Sequence, residues 1–165
     1  MYKFMLSDAD ASCKVYVNLI STSVGQYLSR RPQVIALIKE LLVARELSGA
    51  HMIIEQDMGR NIGTTDVVVT SEHDNIYYAQ PVKTEVFSRF AKNRNAQASP
   101  MLTVIVEQDN TGDYMVSNAW IGAYFPPFPG DVHETTQSKT FWQNHAMVHN
   151  AQAIQLKTVT KECPY

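Results

Sequence analysis

Apolar and polar positions change rhythm along the chain, and the change divides it. After the short run "YKFML", read as a strand or an extended arm, Val15, Leu19, Ile20, Val24 and Leu28 recur at helical spacing. "SDADAS" precedes them and offers side-chain oxygens that cap the free N–H groups of a helix start. "SRRPQ" ends that helix, because proline cannot continue it, and Pro32 suits the first turn of the next. Val34, Ile35, Leu37, Ile38, Leu41 and Leu42 then repeat with a period near 3.6, up to the stop at Gly49.

Beyond His51 the rhythm shortens to two. "HMIIEQ", "TTDVVVT" and "IYYAQPV" read as strands, separated by the turn chemistry of "GRNIG" and "SEHDN". "KTEVFSRFAKNRN" reads as a short helix running into a polar loop. "MLTVIVEQ" and "YMVSNAWIGAYF", joined by "DNTGD", form a hairpin. Pro126, Pro127 and Pro129 make "PPFPGD" a rigid loop. "QSKTFWQNHAMVHN" reads as a short helix and "AIQLKTVT" as a closing strand. Helices first and strands afterwards predict an α+β fold: two N-terminal helices packed on a mostly antiparallel four- to five-stranded sheet, with a short helix near the C-terminus. A single domain is expected over 1–165, with an arm or strand over 1–11, helices over 12–48 and mainly β structure over 51–160.

Composition narrows the function classes. The chain has 165 residues, 45% hydrophobic and 18% charged, which excludes a disordered composition. A formal net charge of −2 argues against broad, charge-driven coating of nucleic acid. Two cysteines, Cys13 and Cys163, are too few for a disulfide scaffold; two reduced thiols in a cytoplasmic protein are expected, with one bridge between them as the alternative. No apolar run approaches the ~20 residues of a membrane span, and no secretory leader is expected.

Three constellations carry candidate chemistry. In "HMIIEQDMGRNIGTT", His51 and Glu55 share one face of a strand, as a proton-transfer pair would, and Arg60 lies on flexible backbone suited to gripping a phosphate. The bland alternative pairs Arg60 with Asp57 or Asp66. In "KTEVFSRFAKNRN", Lys83, Arg89, Lys92 and Arg94 interleave with Phe87 and Phe90, a composition that suits single-stranded nucleic acid; the alternative is a solvated helix with two phenylalanines in the core. In "SKTFWQNHAMVHN", His145 and His149 stand four apart, beside an exposed-looking Trp142; the alternative packs the aromatics in the core and leaves one histidine exposed. With His133 they make a zinc hydrolase the third reading, although Ala146 occupies the position where a zincin carries glutamate. Phosphate-cradling glycine motifs and a serine nucleophile elbow are absent, and no cofactor is expected.

The layout of two helices followed by an antiparallel sheet is similar to that of the barnase–EndoU–colicin–RelE class of small ribonucleases. "GRNIGTTDVV", "YMVSNAWIG" and "SKTFWQNHAM" also look like segments of small bacterial and phage proteins grouped near that class. The resemblance implies metal-independent, acid–base cleavage of RNA by an enzyme of toxin or phage type. His51 and His145 would be acid and base, Arg60 would hold the scissile phosphate, and Ser117 or Ser138 would bond a phosphate oxygen. Lys83, Arg89, Lys92, Arg94 and Trp142 would bind the rest of the RNA. The general positive charge of such toxins is missing. A second reading is a non-catalytic module that docks a protein through Tyr124, Phe125 and Phe128 of the proline-rich loop.

Overall fold

The computed structural model describes residues 3–5, 15–18, 28, 30–43, 45–82, 84–148 and 156–165. The fold is α+β, but strand dominates at about 40% of the chain. Among the described residues the helices are α1 (Pro32–Val43) and α2 (Ser138–Asn144). The expectation of two N-terminal helices is therefore corrected. Val15–Asn18, which should open the first of them, is a strand, and residues 19–27 lie outside the described set. Over four residues "VYVN" satisfies either period, and its β-branched and aromatic side chains favour the extended form.

The chain divides into two compact units, 1–63 with 99–124, and 64–98 with 125–165. The first holds a five-stranded sheet of β1 (Lys3–Met5), β2 (Val15–Asn18), β3 (His51–Asp57), β9 (Met101–Gln108) and β10 (Tyr114–Ile121) in the order β1-β2-β10-β9-β3. All pairings are antiparallel except β2 with β10. α1 buries Val34, Leu37, Ile38, Leu41 and Leu42 against Ile54, Leu102, Val104, Val106, Tyr114, Val116 and Ala119. The two periods meet here, as a helical stripe closes over alternate strand positions. The expected hairpin is β9–β10, with one irregularity between Val116 and Asn118 that turns Ala119 back to the core.

The second unit holds β5 (Val67–Val69), β6 (Ile76–Pro81), β7 (Ser88–Ala91), β11 (His145–Val148) and β12 (Leu156–Thr160) in the order β12-β6-β7-β11-β5. "SRFA", expected in a short helix, is instead strand β7, and all four of its residues are buried. The short helix expected over "SKTFWQNHAMVHN" stops at Asn144, where His145 turns extended and begins β11. β4 (Gly63–Thr65) and β8 (Gln97–Ser99) form a separate two-stranded ribbon. No helix among the described residues is long and apolar enough to cross a membrane.

Candidate anion-binding centre

The second unit contains a buried arginine. β6 and β7 pair in antiparallel register, which sets Arg89 directly opposite Tyr78, and β12 sets Thr160 on the other side of Tyr78. Residues opposite one another project from the same sheet face, so Arg89 and Tyr78 are side-chain neighbours. Arg89 is only 8% exposed. Its Nη1 donates to Thr70 Oγ1 at 2.9 Å and to the main-chain oxygen of His145 at 2.7 Å. Its Nε is buried and has no acceptor.

The chain after β12 brings Tyr165 to the same place. The Tyr165 ring meets Tyr78 edge-on, with centroids 5.6 Å apart and planes at 88°. Its hydroxyl is also buried without a hydrogen-bond partner. Burial pushes the Tyr165 phenol far above the ordinary tyrosine range; Tyr78 and Cys163 push the same way, and the Arg89 charge opposes them. Burial likewise raises the Tyr78 phenol, reinforced by Cys163 and opposed by Arg89. Ion pairs among the described residues include Arg60–Glu40, His73–Glu72, Arg94–Asp74 and Lys157–Glu85, and Arg89 takes part in none of these. A buried cation without a counter-ion is costly, and an anionic oxygen at Nε would offset that cost with a charge-assisted hydrogen bond.

The other candidates fare differently. His51 starts β3, exposed and opposite Glu107, while Arg60 follows the far end of the same strand. A seven-residue strand spans about 20 Å, so the first unit does not bring these two together. Arg60 instead grips Glu40 with both terminal nitrogens, at 3.0 and 2.7 Å. That contact holds the Glu40 carboxyl below its usual range and raises Arg60 above its own. Glu55, expected to share proton transfer with His51, accepts the main-chain N–H of Tyr124.

His145 is oriented by its neighbours. Its ring stacks on Phe141, with centroids 3.9 Å apart and planes at 5°. Its Nδ1 lies 2.9 Å from the Phe141 carbonyl. A carbonyl only accepts, so Nδ1 carries a hydrogen, and in the neutral ring Nε2 is the nitrogen with the free lone pair. The register of β7 and β11 sets Met147 beside Phe90. Alternation therefore projects the His145 and Arg89 side chains from opposite sheet faces, and only the main chain of His145 joins the arginine cluster. The helical i, i+4 spacing proposed for His145 and His149 does not survive, because His145 is already in a strand; His149 lies outside the described residues. Among the described residues no group of three His, Cys, Asp or Glu side chains is placed to hold a metal.

Of the expected RNA-binding set, Lys83 lies outside the described residues and Lys92 is exposed. Arg94 is paired with Asp74 at 3.0 Å. Ser117 donates to the Ile105 carbonyl at 3.4 Å. Ser138 is fully buried and accepts the Thr135 N–H, which fastens the turn leading into α2. Trp142, placed in the RNA-binding set by the resemblance, is fully buried, as the core-packing alternative for the aromatics has it: Phe128 stacks on it at 3.9 Å, Phe125 and Phe141 meet it edge-on, and its Nε1 donates to the Pro126 carbonyl at 2.9 Å. Phe125 and Phe128 of the proline-rich loop are half-buried and pack on Trp142, while Tyr124, also half-buried, lies against Trp120 in the first unit. Cys163 is an exposed free thiol, and Cys13 lies outside the described residues.

The first unit also has an open depression of about 360 Å³, lined by Glu40, Leu41, Arg45, Gln56, Asp57 and Met58. Its polar groups already serve one another. Arg45 donates to Gln56, Gln56 to the Asp57 carbonyl, and Asp57 accepts the Gly59 N–H. It therefore lacks the unmet hydrogen-bonding demand found at Arg89.

Sequence reasoning included Arg89 only as one cation of a surface patch, and missed Tyr78, Tyr165 and Thr70. The available signal was its setting in "SRFA", a lone cation in a short run of small and apolar residues. Compared with protein-family models, with curated proteins and with solved structures, the chain matches none.

Proposed function

We propose that the chain is a binding module whose ligand presents a carboxylate or phosphate oxygen to Arg89. The observation that carries this reading is the buried Nε of Arg89, which has no acceptor while Nη1 of the same group is fully engaged. A ligand that binds only the folded chain raises its stability by mass action, about 2.7 kcal/mol at a hundredfold excess over Kd. The unfolding temperature of the wild-type chain is expected to rise saturably in inorganic phosphate or acetate, relative to sodium chloride at equal ionic strength. Arg89→Gln is expected to lose that rise. A wild-type chain stabilised by neither anion would end the reading. The exposed thiol of Cys163 fits a reducing, cytoplasmic setting for such a module.

Acid–base cleavage of RNA is the second reading, and the fixed tautomer of His145 favours it. A stacked imidazole with Nδ1–H committed to a carbonyl offers Nε2 as its proton acceptor. Arg60 no longer serves as phosphate holder in this reading, since Glu40 occupies it. Cleavage in EDTA that leaves 2′,3′-cyclic phosphate ends and disappears in His145→Ala would support it. Intact RNA would remove it.

A further inference from the structure

The ligand class can be narrowed on the basis of the anion-binding reading of Arg89. The aromatic position beside Tyr78 is held by the chain's own Tyr165, edge-on at 5.6 Å. The fit is incomplete. The phenol hydroxyl is buried with no partner, and the Arg89 Nε in the same cluster is buried with no acceptor. The two unmet polar atoms belong to the side chains that flank Tyr78, and the group on its ring supplies an aromatic without a usable acid. An aromatic ring bearing an acid would keep the contact with Tyr78 and give Nε the oxygen it lacks.

Tyr165 is also held by few local ties. Among the described residues, the hydrogen bonds within 160–165 run from Glu162 N to Thr160 Oγ1 at 3.1 Å and from Cys163 Sγ to the Tyr165 carbonyl at 3.0 Å. A thiol is a weak donor. The strand leading into this segment, β12, is paired on one side by β6 and exposed along Leu156–Val159. Opening the segment hydrates both unmet polar atoms, which offsets part of the cost of exposing the Tyr165 ring. The closed arrangement is therefore one that a better-matched group can replace.

From this juxtaposition we infer that the centre takes an aryl acid, a flat ring carrying a carboxylate or phosphate, which displaces the Tyr165 ring from Tyr78 and bonds Arg89 Nε. The test uses the full chain, isothermal titration, and four probes: benzoate, phenyl phosphate, acetate and inorganic phosphate. At least one aryl acid is expected to bind about tenfold more tightly than its ringless counterpart, the gain of one added aromatic contact with its buried area. Tyr165→Ala removes the internal competitor and is expected to tighten that aryl acid severalfold further. The Arg89 Nε–H resonance of the wild-type chain, followed by NMR, is expected to shift on saturation; this readout needs no substitution that endangers folding. Equal affinity of ringed and ringless acids would overturn the aryl class and leave the anion reading standing. Unchanged affinity in Tyr165→Ala would overturn displacement. An Nε–H resonance unmoved by all four probes would overturn both readings.

Discussion

Asp74 shows how single groups in the second unit are held in their charged forms. Its carboxylate accepts the Ser71 N–H at 2.7 Å and pairs with Arg94 at 3.0 Å. The Ser71 bond is the largest cause of a lowered pKa, with Arg94 adding and burial opposing. A depressed folded-state pKa contributes stability that is present above the unfolded value, about 3.9, and lost as pH falls through the folded value. Asp74→Asn is therefore expected to lower the urea midpoint at pH 7, and the gap to wild type should narrow as pH falls below the unfolded value of about 3.9 and close below the lower folded-state value. A gap that stays constant across this range would mean that the carboxylate charge is not what holds the turn. The same residue scale explains what sequence could not reveal about Arg89. Its neighbours in the chain, Ser88 and Phe90, hint at burial but name no partner, and only the pairing of β7 with β6 shows that its partner is Tyr78. Cross-strand register depends on contacts distant in sequence, so no local reading recovers it.

At the scale of elements, α2 is seven residues long and too short to be stable on its own. It holds its place through Trp142, which reaches back to the Pro126 and Pro127 carbonyls and lies against Phe125, Phe128 and Phe141. Trp142→Ala is expected to cost about 3–5 kcal/mol, read from the urea midpoint and from loss of near-ultraviolet dichroism of the aromatic cluster. A loss under 1 kcal/mol would show that the prolines alone fix the loop. Elements were legible where the pattern was long. α1 and the β9–β10 hairpin each repeat their period over enough residues to exclude the alternative. Val15–Asn18 and Ser88–Ala91 are four residues each, a length at which helical and extended periods coincide, and both are strands where helices were expected. "SKTFWQNHAM" contains both states, because the chain turns extended at His145 without a glycine or proline to mark the junction.

For the whole molecule, size and composition anticipated a packed α+β chain but not its division. Each unit draws on two separate stretches of sequence, and the chain passes between units near 63, 98 and 124. That interleaving leaves no mark on composition or hydropathy. It does bear on the order in which a growing chain can fold. A fragment ending at residue 98 contains α1 and β3 but lacks β9 and β10, whose Leu102, Val104, Val106, Tyr114 and Val116 complete the first core. Such a fragment is expected to be degraded by protease under conditions that spare a fragment ending at 124. Equal resistance of the two would show that the first core closes without that hairpin. During synthesis, then, the apolar stripe of α1 emerges well before the strands that cover it. The interval exposes the nascent chain to premature association; a chaperone bound during it would protect the chain, and a pause in translation near residue 98 would lengthen the exposure.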